Sequence, residues 1–189
     1  MNILIDGLPG SVEIDGKEYM IHTDFRNWIQ FEILFSGGGM DDIKFMKMLE
    51  LCYIDLPPSL GSAVQFMFWF YSGGEKGEKK SVPESEKKRQ IYSFEFDADY
   101  IYAAFFTQYK IDLQTADLHW WQFKSLFKSL DDNNKICKIM EYRAIDLSQI
   151  KDKEQKKFYR KMKALYRLPD LRSEEEKEKA MIESMSSLF

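Results

Sequence analysis

A chain of 189 residues is long enough to bury an ample core in one domain, and 44 % apolar with 15 % aromatic side chains excludes general disorder. A formal net charge of −4 gives no global attraction to nucleic acid or anionic lipid. The two cysteines, Cys52 and Cys137, stand far apart in no metal-binding spacing, which reads as two packed thiols in a reducing compartment.

The apolar start, Met1 to Ile5, lacks a basic lead, a long apolar stretch and a small-residue cleavage site, so no secretory signal is expected. Ser11 to Ile14 and Lys17 to Ile21 flank Asp15-Gly16, a pair that tolerates the positive φ angles of a type I′ hairpin. Val12 then faces Tyr19, and Val12, Ile14, Tyr19 and Ile21 share one side. Asn2 to Ile5 is a candidate third strand. Beyond the hairpin the spacing is helical. Asp24 is placed to cap a helix with Phe25, Trp28, Ile29, Glu32 and Phe35 along one stripe, stopped by Gly37-Gly38-Gly39. A second helix begins near Asp41, with Ile43, Met46, Leu49 and Tyr53 expected inward, and ends at Pro57-Pro58. A third runs from about Ser62 to Tyr71. It is apolar nearly all round and should be largely buried, but its run from Ala63 is far shorter than the ~20 residues that cross a bilayer.

From Gly73 to about Arg89 the residues turn to Gly, Lys, Glu and Ser, a composition that reads as a mobile charged linker. Helical spacing then resumes. Asp97 should cap a helix through Tyr109 that carries Ile101 and Phe105. Asp117 should cap the next, with Trp120, Phe123, Phe127 and Leu130 on one face. A shorter helix spans Asn134 to Arg143. Asp152 and Gln155 open a basic helix with a Phe158, Met162 and Leu165 stripe, stopped by Leu168-Pro169. Ser173 and Glu176 open a last helix with Met181, Met185 and Leu188 inward. The chain is therefore expected to be mainly α: a single domain over residues 1–189, with an N-terminal β-hairpin at 2–22, a helical part at 24–72, a flexible charged linker at 73–90 and a second helical part at 91–189.

Motifs for chemistry fail on inspection. Gly74 to Ser81 has no glycine directly before its lysine and carries Glu75 and Glu78, which repel phosphate. His22 and His119 are too few for a metal site or a catalytic triad, and the pairs Asp41-Asp42 and Asp131-Asp132 sit where helix caps are needed. No catalytic, metal or cofactor residue is expected, and the chain reads as no enzyme. Two features suggest a partner instead. Lys157, Arg160 and Lys161 belong to a dense basic helix, which either meets a nucleic acid or an acidic partner or pairs with Glu174, Glu175, Glu176 and Glu178. Trp120 and Trp121 point about 100° apart on a helix. Trp120 fits the core stripe, whereas Trp121 is either core or an exposed partner anchor.

Ile14-Asp15-Gly16-Lys17-Glu18-Tyr19 and Thr23-Asp24-Phe25-Arg26-Asn27-Trp28 resemble the start of the phage protein family known as Gp15. Asp117 to Phe123 and Ile150-Lys151-Asp152-Lys153 through Tyr159-Arg160-Lys161-Met162 are similar to its most recognisable segments. The similarity runs over nearly the whole chain except Gly73 to Arg89. It implies a small protein of tailed phages and prophages of Gram-positive bacteria, encoded in the tail-morphogenesis cluster beside the tape-measure gene. That position implies a tail assembly chaperone that binds the phage tail tape-measure protein, with other tail proteins as further partners and neither nucleic acid nor membrane. It also implies residence in the host bacterial cytoplasm, without secretion, and absence from the mature virion. The alternative is a minor structural component retained in the tail.

Overall fold

The structure, a computed structural model, describes residues 2–74 and 90–170. The hairpin forms as its Asp-Gly pair dictates. Strands β1 (Ser11–Ile14) and β2 (Lys17–Met20) are antiparallel, with Val12 opposite Tyr19. Asp15 and Gly16 both take positive φ, 52° and 75°, which matches the twist of the strands they join. Val12, Ile14, Tyr19 and Ile21 are buried together. The third strand suggested by Asn2 to Ile5 does not form. Those residues make a turn in which the Asn2 N–H donates to the Asp6 carboxylate and the Asp6 N–H donates back to the Asn2 carbonyl, leaving Leu4 and Ile5 exposed. Pairing within the turn satisfies the backbone groups a strand would have needed.

Seven helices follow among the described residues: α1 (Phe25–Ser36), α2 (Asp42–Cys52), α3 (Leu60–Ser72), α4 (Ala98–Tyr109), α5 (Trp120–Lys128), α6 (Lys135–Ala144) and α7 (Lys153–Leu165). Asp24 caps α1 by accepting the Arg26 N–H at 2.7 Å. The Arg26 guanidinium then donates to the carbonyls of Leu113 and Ala116, tying α1 to the loop before α5. Phe25, Trp28, Phe31 and Glu32 are buried, while Phe35, expected inward, is 45 % exposed in the last turn.

Helix α2 starts where expected, with Asp41 accepting the Lys44 N–H, but its face is turned. Met48, Leu49 and Cys52 are buried and Phe45 packs beside them, whereas Ile43 and Met46 are exposed. Residues 43, 46 and 49 and residues 45, 48, 49 and 52 both fit helical spacing. The second set wins because it faces α1. Helix α3 buries Ala63, Met67 and Phe70 and ends at Gly73 with φ 88°, a left-handed cap.

One aromatic core joins both halves of the chain. Phe25 stacks on Phe123 with ring centroids 4.8 Å apart, and Phe105 stacks on the other face of Phe123 at 4.9 Å. Backbone bonds close the same seam: the Phe25 N–H donates to Leu118, and the Trp120 N–H donates to Thr23. The second half is pinned by a buried ion pair. Asp97 (2 % exposed) and Arg143 (8 %) meet through two bonds of 2.5 and 2.9 Å. Arg143 also donates to the carbonyls of Ile91 and Tyr166, and Asp97 accepts the Ser93 N–H. Asp97 was expected to cap α4. Its carboxylate makes no cap bond because Arg143 and Ser93 take it. Most of the expected 73–90 linker, residues 75–89, lies outside the described residues, as does the helix expected after Ser173.

Candidate partner-binding surfaces

Helices α5 and α6 stand on either side of a gap beside the aromatic core. An open groove of about 630 Å³ lies between them, within the size range of ligand pockets, about 300–1,000 Å³. Trp120 and Phe123 form its floor, and Tyr92, Phe94, Phe127 and Met140 are among its walls. Tyr92, Phe127 and Met140 keep partial exposure there, whereas Trp120 and Phe123 are covered by the rings around them. The rings remain mutually packed: Phe94 lies 5.8 Å from both Phe123 and Phe127, and Tyr92 lies 5.1 Å from Phe127. The lip is charged, with Lys124 and Lys128 on α5 and Asp132 and Glu141 at the start and middle of the α6 side.

Glu32 reaches the inner end of the groove. The Tyr71 hydroxyl donates to its Oε2 at 2.6 Å. Burial pushes the Glu32 pKa up, opposed by hydrogen bonds from Tyr71 and Tyr92 and by the charge of Lys124. Burial and the nearby carboxylate push the Tyr71 hydroxyl up as well. Lys124 Nζ donates to the Tyr71 carbonyl and sits over the Tyr71 and Trp120 rings. The polar groups at this end serve one another, which suits a packing surface better than proton transfer.

His119, and not Asp117, caps α5. Its Nδ1 accepts the Trp121 N–H at 3.0 Å, its own N–H donates to Gln122 Oε1, and Nε2 donates to the Pro9 carbonyl at 3.1 Å. Burial lowers the His119 pKa, and the bond to Pro9 partly offsets that. Both ring nitrogens are thereby occupied in holding the start of α5 against the segment before the hairpin.

Trp121 is core rather than an exposed anchor. It is 5 % exposed, and its Nε1–H donates to the Phe70 carbonyl at 2.7 Å. Its ring packs against Trp69 at 5.6 Å and Phe70 at 5.5 Å. The physical reason is the width of the buried arc. Trp120 faces α1 and Trp121 faces α3, so helix α5 fills the angle between two helices and both rings find cover.

Lys157, Arg160 and Lys161 are all exposed on α7. Steps of three and four residues put them on one helical face. Helix α7 is capped as expected, with Asp152 accepting the Gln155 N–H at 2.7 Å, yet it buries no residue. Phe158 (48 % exposed) and Leu165 (64 %) are far from the inward stripe their spacing suggested. Helix α7 is held at the edge by Tyr142 of α6, whose ring lies 6.0 to 6.2 Å from Phe158, Tyr159 and Tyr166. Lys163 adds a bond to the Ile145 carbonyl. The structure therefore gathers the three basic residues and separates them from Trp121, which lies against α3. Glu174, Glu175, Glu176 and Glu178, the alternative partners of the basic face, lie outside the described residues.

Of the groove, the sequence marked only the α5 stripe of Trp120, Phe123, Phe127 and Leu130. Tyr92 and Phe94 precede any helix and Met140 stands alone, so nothing local signalled that they converge. No group of residues able to hold a metal ion occurs among the described residues, and no helix there is long and apolar enough to cross a membrane. Comparison with known protein families matches residues 4–168 to the family described as Bacteriophage Gp15 protein. No curated protein and no solved structure matches the chain.

Proposed function

The chain belongs to the bacteriophage Gp15 protein family, and we propose that it is a non-enzymatic tail assembly chaperone that binds the phage tape-measure protein in the host cytoplasm. The observation that carries this reading is the open aromatic groove between α5 and α6. A tape-measure chain presents long amphipathic helices that aggregate if left bare, and an apolar groove on a helical protein is the complement such helices require. Methionine at 140 adds a flexible, polarizable contact able to adjust to differing side chains. The titratable groups nearest the core have structural work: Glu32 with Tyr71, Asp97 with Arg143 and His119 as a cap.

Co-expression is the direct test. The tape-measure protein should become more soluble with this chain present and should be retained in a pull-down. No complex and no gain in solubility overturn the proposal. Mass spectrometry of purified virions tests the cytoplasmic role against the alternative of a minor tail component: abundant peptides from this chain in finished particles favour the structural role.

A further inference from the structure

The outer face of α7 is apolar and basic at once. Phe158, Lys161 and Leu165 stand three and four residues apart, so they form one row, and all three are exposed. Lys157 and Arg160, also exposed, border that row. Lys157, Arg160 and Lys161 make no hydrogen bond or ion pair among the described residues. Tyr142 of α6 holds the inner side of the helix through Tyr159 and Tyr166.

We infer that this outer face seats the chain's own residues 171–189, folded back as a helix antiparallel to α7. Spacing, sign and reach carry the inference. Glu174, Glu178, Met181, Met185 and Leu188 recur at steps of four, three, four and three, so a helix puts them on one face, acidic at its start and apolar after it. With Glu178 level with Lys161, the antiparallel arrangement brings Met181 level with Phe158. Leu165 then lies level with the turn that holds Leu171 and Glu174. The segment carries five acidic and three basic side chains, the sign that the face of α7 calls for. Tyr166 to Ser173, eight residues, make the connection, ample to cross the about 8–10 Å between packed helix axes.

Other occupants fit less well. A second copy of α7 would set Lys157, Arg160 and Lys161 against the same three cations. Residues 75–89 carry six basic and four acidic side chains, with Val82 and Pro83 as their only apolar ones, so they match neither sign nor stripe. The basic residues of α7 thus serve the chain's own fold, and an outside partner reaches them only by displacing this segment.

Equal amounts of isotope-labelled and unlabelled full-length protein are mixed and treated with a carbodiimide, which joins an amine and a carboxylate in contact as an amide with loss of water. Mass spectrometry should find Lys157 or Lys161 linked to the Glu174–Glu178 stretch within one chain. Met181→Ser/Met185→Ser keeps every charge and removes the apolar anchors. It should deplete these links and speed hydrogen exchange of the α7 amides by about tenfold or more, with exchange in α1 unchanged. Lys161→Glu should speed α7 exchange by about threefold, the size of an exposed charge pair, and adding Glu178→Lys should restore it. Links confined to mixed-isotope pairs overturn the proposal in favour of exchange between copies. Absence of the links, or α7 exchange that ignores Met181→Ser/Met185→Ser, overturns it and leaves the face to an outside partner.

Discussion

Trp121→Ala separates a packing role from an interface role at the same residue. The side chain is 5 % exposed, lies against Trp69 and Phe70, and donates Nε1–H to the Phe70 carbonyl. Truncating a buried tryptophan costs ~3–5 kcal/mol from lost apolar contact and the cavity left behind. For a chain of this size each kcal/mol moves the melting point by about 2–4 °C, so the expected drop is about 6–20 °C. Trp121→Phe keeps a ring and loses the donor. The Phe70 carbonyl retains the Gly73 N–H at 3.0 Å, so this variant should fall at the low end of about 1–3 kcal/mol. Thermal unfolding by circular dichroism reads the stability, and a tape-measure pull-down at a temperature where the variant is still folded reads the binding. The folded fraction should bind normally. A melting shift under ~2 °C together with lost binding would refute the reasoning and restore Trp121 as an anchor.

Arg143→Met should cost ~3–5 kcal/mol in urea unfolding, because Asp97 is left charged and buried, and adding Asp97→Asn should recover part of that. A Cβ on Gly74 would lie 2.6 Å from Trp121 Cη2 at a φ of 76°, so Gly74→Ala should cost more than ~1 kcal/mol, and less in a Trp121→Phe background where that atom is gone. His119 has its pKa lowered by burial, so its stabilising effect is complete above the unfolded value of ~6.5 and is lost as pH falls through the lower folded value. His119→Asn keeps a cap acceptor and should flatten the decline in melting temperature on acidification below about pH 6.5. Glu32 has the opposite sign: its folded pKa is raised, so stability is lost as pH climbs from the unfolded value of ~4.3 through the folded one, and Glu32→Gln should gain on the wild type across that rise.

The parts legible in the sequence are those specified by a few adjacent residues. The Asp15-Gly16 hairpin and its register, and the caps at Asp24, Asp41 and Asp152, follow from local hydrogen bonding and backbone angle. The facing of helices is a weaker inference. In α2 two apolar sets obey the same spacing, and only the position of α1 selects between them. In α7 the stripe lies at the edge of the fold against Tyr142 of α6 and no residue of the helix is buried, so periodicity predicts burial that the fold does not supply.

The groove was hidden for a related reason. It is defined by what is missing between α5 and α6, and a sequence records side chains, not the gaps they leave. Its lining comes from five places in the chain, and the Asp97–Arg143 pair draws two of them together, the segment before α4 and α6. That pair carries no pattern of its own, since a lone aspartate before a helix reads as a cap and a lone arginine in a last turn reads as solvated. Arg143 fixes α6 by a bidentate bond and by the carbonyls of Ile91 and Tyr166, so α6 cannot shift relative to the segment before α4 without breaking it. The position of α6 beside the aromatic core thus depends on one specific ionic contact. Breaking that contact in the Arg143→Met/Asp97→Asn variant should therefore let α6 shift and weaken tape-measure capture at temperatures where the variant remains folded, and unchanged capture would show that α6 is placed by the aromatic packing alone.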